Sequence, residues 1–155
     1  MTTGSAVLTS RYLGQIAWKA ESELFLPLGL PGFEAERRMA PVEIPAQRPL
    51  VFLQSMDHPE VCFVALPAGT ISPDFCLRLT QDDKAALLLE DAHDPVIGVG
   101  VLCLVLLLPG EGSLQANLDA PIVINLRNLR CVQSVMEPLN GYFRLHEDGQ
   151  WRRIC

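Results

Sequence analysis

Twelve prolines run from Pro27 to Pro138 and leave few windows long enough for a packed helix. Each one removes an amide donor and clashes with the preceding helical turn, so long helices are excluded over most of the chain. The segments between these breakers are short and strand-like: 14–18, 24–26, 50–54, 62–66, 75–79, 97–107, 115–118, 122–126, 131–135 and 142–145. Many short strands joined by Pro/Gly turns predict an all-β fold, a compact antiparallel pseudobarrel or sandwich. One helix is expected at 80–92, where Thr80 caps and Asp83 stands three residues on; Asp82 and Asp83 then lie at the positive end of the helix dipole. A further helical turn is expected at 32–38.

The apolar run Val96–Leu108 decides the membrane question. Its thirteen residues fall short of the roughly 20 a spanning helix needs. Its β-branched content reads as a core strand, yet a straight strand would span about 43 Å at about 3.3 Å per residue, so a bend is expected near Gly98 and Gly100. With 155 residues, 49% of them apolar, the chain supports one core. A single domain over 1–155 is expected, with loosely ordered ends at 1–10 and 149–155.

Net charge is −6, the wrong sign for neutralising a phosphate backbone, so direct nucleic-acid binding is disfavoured. The acidic excess is local. Asp74, Asp82, Asp83, Glu90, Asp91, Asp94, Glu111 and Asp119 stand against only Arg78 and Lys84, a balance of −6 within 74–119, and the remainder of the chain sums to zero. Such a window is either wet surface or a field that steers a basic partner.

Chemistry is harder to find. Five widely spaced cysteines, mostly in apolar runs, read as buried hydrophobes in a reducing compartment, and no pair has metal-ligand spacing. Residues 1–11 lack the pattern of a secretory signal, so a cytoplasmic protein is expected. Ser55 lacks a glycine-flanked elbow and an obvious base. The glycines around Pro31 lack the lysine of a phosphate cradle; Pro31-Gly32 reads as a tight turn with Gly32 at positive φ. No catalytic residue, cofactor or metal ligand is assigned. Asn117, Asn125 and Asn128 bracket the alternating run Ile122-Val123-Ile124, and their amides either cap turns or pair with a partner's backbone.

Gly29-Leu30-Pro31-Gly32-Phe33-Glu34, Leu53-Gln54-Ser55, Phe63-Val64, Pro67, Pro73-Asp74-Phe75, Asn117-Leu118 and Ala120-Pro121-Ile122-Val123-Ile124-Asn125 with Asn128, in this order and spacing, resemble the FliW family of flagellar assembly factors. The resemblance runs from about Arg11 to about His146. It implies a non-enzymatic cytoplasmic bacterial protein that binds newly made flagellin and sequesters CsrA, a basic RNA-binding repressor of translation, when flagellin is exported. It also implies a β pseudobarrel. On this reading Asp82, Asp83, Glu90, Asp91 and Asp94 steer the repressor, while Gln54, Asn125, Asn128 and Gln133 are candidate partner contacts. Gly29, Pro31, Gly32 and Phe33 are structural, fixing a turn and burying a ring. A monomer with no membrane partner is expected.

The chain departs from the family at Asn125-Leu126-Arg127-Asn128-Leu129-Arg130-Cys131-Val132-Gln133. Cys131 stands where a glycine is usual and Val132 where a lysine is usual, so a reshaped turn is expected. Segment 65–72 and the tail after Asp148 depart as well. Two other readings remain at this point: a β-barrel holding a small ligand in its mouth, with or without enzymatic activity, and a homologue retained only as a structural subunit.

Overall fold

The computed structural model describes residues 5–90 and 95–154. Twelve strands follow in chain order: β1 Ser5–Ser10, β2 Gly14–Lys19, β3 Leu24–Phe25, β4 Arg38–Val42, β5 Val51–Ser55, β6 Cys62–Pro67, β7 Val101–Pro109, β8 Leu114–Asn117, β9 Ile122–Asn125, β10 Cys131–Gln133, β11 Tyr142–Leu145 and β12 Trp151–Ile154. Two short helices, α1 Ala68–Ile71 and α2 Gln81–Leu87, lie between β6 and β7. The mainly antiparallel all-β fold is as the proline spacing requires.

β1 and β2 form a separate hairpin, and the other ten strands form one sheet in the order β12-β11-β8-β7-β6-β5-β4-β3, with β9 on β7 and β10 on β9. β7 is the branch point. Residues 101–104 pair with β9, 104–106 with β6 and 107–109 with β8.

This branching explains the apolar run. Val101, Cys103 and Val105 face one cluster with Leu87, Leu118, Val123 and Val132, while Leu104 joins a second with Leu24, Met39, Leu53, Ile122 and Ile124. Over 103–107 the strand is covered on both faces and loses polar alternation, because each side chain of either parity is worth about 1.5–3 kcal/mol when buried, while Leu102 and Leu108 stay exposed. β9 does the same, with Val123 in one cluster and its neighbours in the other. A third cluster seats the β1–β2 hairpin, through Leu8, Ile16 and Trp18, on Ala40, Val42 and Phe52.

Several expectations are corrected. The apolar run does not bend as one strand: Gly98, at φ +88°, sits in a turn closed by its amide on the Val101 carbonyl at 2.7 Å, and β7 begins only there. Segment 75–79 forms no ladder. Phe75, Leu77 and Leu79 alternate against the core as a strand would, but the Asn140 side chain takes the place of a neighbouring strand, bonding the Cys76 amide at 2.9 Å and carbonyl at 2.8 Å. The expected turn of helix at 32–38 is a tight turn leading into β4. Pro41 disguises β4, and is tolerated there because β3 pairs only with Arg38 and Met39. Within the described residues both ends carry strands, β1 paired with β2 and β12 with β11, and residues 1–4 and 155 of the expected loose ends lie outside them.

Candidate partner-binding surface

The helix α2 organises the most distinctive surface. Thr80 caps it as expected, its hydroxyl accepting the Asp83 amide at 3.1 Å. It ends five residues earlier than expected, because Leu88 turns left-handed at φ 57° and the last carbonyls are taken by another segment. Asn125 Nδ2 and Asn128 Nδ2 both donate to the Leu87 carbonyl, at 2.9 and 3.2 Å, and Arg130 Nε donates to the Ala86 carbonyl at 2.8 Å. Their acceptor oxygens are used locally, Asn125 Oδ1 by the Arg127 amide at 3.0 Å and Asn128 Oδ1 by the Arg130 amide at 2.9 Å. The 125–130 turn is thus a clasp on the helix end.

The amide residues expected as partner contacts are engaged within the fold. Asn125 is buried and fully committed. Gln54 is wholly buried, its Nε2 facing the carbonyls of Ser55, His58 and Pro59 at 3.1–3.3 Å. Gln133 donates to the Ala120 carbonyl at 3.1 Å, and Asn128, though exposed, serves the clasp. The reshaped turn is also relocated. Positive φ falls on Leu129, at 61°, while Cys131 and Val132 are buried strand residues.

The acidic window divides in the same way. Asp119 is buried and accepts the amides of Leu139, Asn140 and Gly141 at 2.6–3.1 Å. Asp83 accepts the Ser134 hydroxyl at 2.6 Å, tying α2 to the end of β10. Asp82 and Glu90 are exposed, as are Asp74 and Glu111. Asp91 and Asp94 lie outside the described residues.

Between α2 and the start of β7 runs an open groove of about 660 Å³, lined by Leu88, Leu89, Glu90, Pro95, Val99, Gly100 and residues 125–127. It brings together Glu90 and Asn125, but not Asp82, Gln54 or Gln133. Its lips are apolar. Leu88 is 59% exposed, Val99 77% and Leu126 37%. Sequence reasoning missed these three, since nothing local distinguishes an exposed Leu or Val from a buried one. A neighbouring patch has Phe25 exposed between two guanidinium groups, Arg130 at 5.2 Å and Arg37 at 5.9 Å from its ring.

The glycine motif is a turn. Gly32 has φ +81°, and Phe33 and Leu30 exchange backbone bonds of 2.7 and 3.2 Å across Pro31-Gly32. Gly29, at φ +65°, admits no side chain, since a Cβ would meet the Glu34 carbonyl oxygen at 2.5 Å. Phe33 corrects the expectation of a buried ring: it is 44% exposed and meets Phe63 edge-on at 5.0 Å.

Ser55 does lie near a histidine, but the geometry is not catalytic. Its hydroxyl donates to Glu36 Oε2 and accepts the Asp57 and His58 amides at 3.2 and 3.0 Å, while His58 Nδ1 sits 2.6 Å from Glu36 Oε1. The carboxylate stands between hydroxyl and imidazole, so the imidazole cannot take the serine proton, and Ser55 is 1% exposed. The trio locks the β5–β6 turn to the loop before β4. Burial pushes the thiols of Cys103 and Cys131 up to about 12, so both are inert neutral core groups. Among the described residues no helix is long and apolar enough to cross a membrane.

Residues 7–147 match the family model described as FliW protein. The chain is 33% identical to the flagellar assembly factor FliW of Pseudothermotoga lettingae, over 81% of this chain and 78% of the relative. It is 29% identical to that of Caldanaerobacter subterraneus subsp. tengcongensis, over 84% and 85%. A crystal structure of the flagellar assembly factor FliW superposes with a TM-score of 0.73 at 24% identity, covering 87% of this chain and 91% of that one.

Proposed function

The chain belongs to the FliW family, and from that premise we propose that it works by binding macromolecules without catalysis: in the cytoplasm it holds newly made flagellin, and once flagellin is exported it sequesters the repressor CsrA and relieves repression of flagellin translation. The observation that carries this reading is the groove beside α2, where exposed Leu88, Val99 and Leu126 form apolar lips next to Glu90. Lips of this kind fit the apolar face of a flagellin terminal helix laid along the groove. The exposed carboxylates of Asp82 and Glu90 on and beside the same helix supply the field that a basic repressor meets on approach.

Interferometry with purified flagellin and CsrA tests both halves. Val99→Asp with Leu126→Asp weakens flagellin about tenfold or more, since charges placed in an apolar contact must be desolvated. Asp82→Lys with Glu90→Lys slows CsrA association and flattens its salt dependence while leaving dissociation nearly unchanged. Absence of micromolar binding to either protein overturns the proposal.

A further inference from the structure

β11 lies between β8 and β12, and the register sets Arg144 directly opposite Gln115 on one side and Arg152 on the other. Like charges placed across a strand pair repel. Arg152 has a counter-charge, its Nη2 standing 2.5 Å from Asp148 Oδ2, and Asp148 is held there by accepting the Gln150 amide at 3.0 Å. Arg144 has none: its Nε is buried without a hydrogen-bond partner, and its guanidinium forms no ion pair among the described residues. Ser113, in the β7–β8 turn, is in the same condition. Its carbonyl is fixed by the Gly110 amide at 2.8 Å, yet its buried hydroxyl has no partner. Both residues line one open cleft of about 480 Å³, together with Leu145, His146, the carboxylates of Glu147 and Asp148, and Arg152.

Unpaired buried donors are costly, so two of them in one cleft favour an acceptor supplied from outside the chain. Arg152 is balanced by Asp148, whereas the Arg144 guanidinium has no ion-pair partner among the described residues, and the acceptor that bonds a guanidinium most strongly is negatively charged. We infer that this cleft binds an oxyanion, the carboxylate or phosphate group of a ligand, gripped by the planar fork of Arg144 with the Ser113 hydroxyl as second donor. The site shares no residue with the groove beside α2 and does not depend on the flagellin or CsrA reading.

Thermal unfolding in Tris chloride, with sodium phosphate or sodium acetate replacing sodium chloride at equal ionic strength, tests the site. A saturable rise in Tm above the chloride control is expected. A rise with phosphate alone identifies a phosphate group, and a rise with acetate identifies a carboxylate. Arg144→Lys, which keeps the charge and loses the fork, weakens the response about tenfold in midpoint concentration. Arg144→Met abolishes it without lowering Tm in chloride. Should that variant fail to fold, the decision passes to Arg144→Lys and Ser113→Ala, where a weakened response supports the site and an unchanged one rejects it. Coincident curves in all three salts, or a full response from folded Arg144→Met, overturn the inference.

Discussion

The end of α2 and the cleft beside β11 are both rich in polar groups, yet they differ in what those groups have left to give. At the helix end Asn125, Asn128 and Arg130 aim their donors at the carbonyls of Ala86 and Leu87, and both asparagine oxygens are taken by nearby amides. Beside β11, Arg144 and Ser113 bury donors that nothing in the described chain accepts. A polar residue is available to a partner only when the fold has not already engaged it. The asparagines that look most like a recognition motif in the sequence are engaged by the helix end, and the arginine with no motif around it is the open group.

Four substitutions test this contrast. The largest loss falls on Asp119→Ala, which strips three amides of a buried acceptor and costs about 3 kcal/mol or more in urea unfolding. Asn125→Ala releases the Leu87 carbonyl and the Arg127 amide and costs about 2 kcal/mol by the same measurement. An Asn125→Ala protein that keeps its midpoint but loses a partner breaks the contrast. Leu88→Gly works in the opposite direction, raising stability by about 1 kcal/mol by relieving a left-handed leucine at the helix terminus. Arg144→Met shifts the midpoint least, within about 0.5 kcal/mol, because the apolar stem is kept and no internal bond is lost.

What was legible in the sequence was what local physics decides. Proline spacing excluded long helices, the cap at Thr80 started α2, Pro31-Gly32 made its turn, and the unbroken apolar letters of β7 and β9 reported burial on both faces. What was hidden depends on residues far apart in sequence. The length of α2 is set by amides 38 and 41 positions away, and the extended segment 75–79 finds its partner in a side chain 64 positions on. The acidic window misled for the same reason: Asp83 and Asp119 look like free surface charge until Ser134 and the 139–141 backbone fold against them. The groove lips were invisible because exposure of Leu88, Val99 and Leu126 is a property of the assembled sheet.

The outermost strand, β12, carries Arg152 and Arg153 in succession, one on each face of a ribbon whose far side has no neighbouring strand among the described residues. Open backbone at such a margin invites lateral zippering into fibrils; Arg152 is balanced by Asp148, and Arg153 is the cation that a copy approaching in register meets in its own image. That repulsion guards the margin only as far as salt leaves it unscreened, about 8 Å at physiological ionic strength.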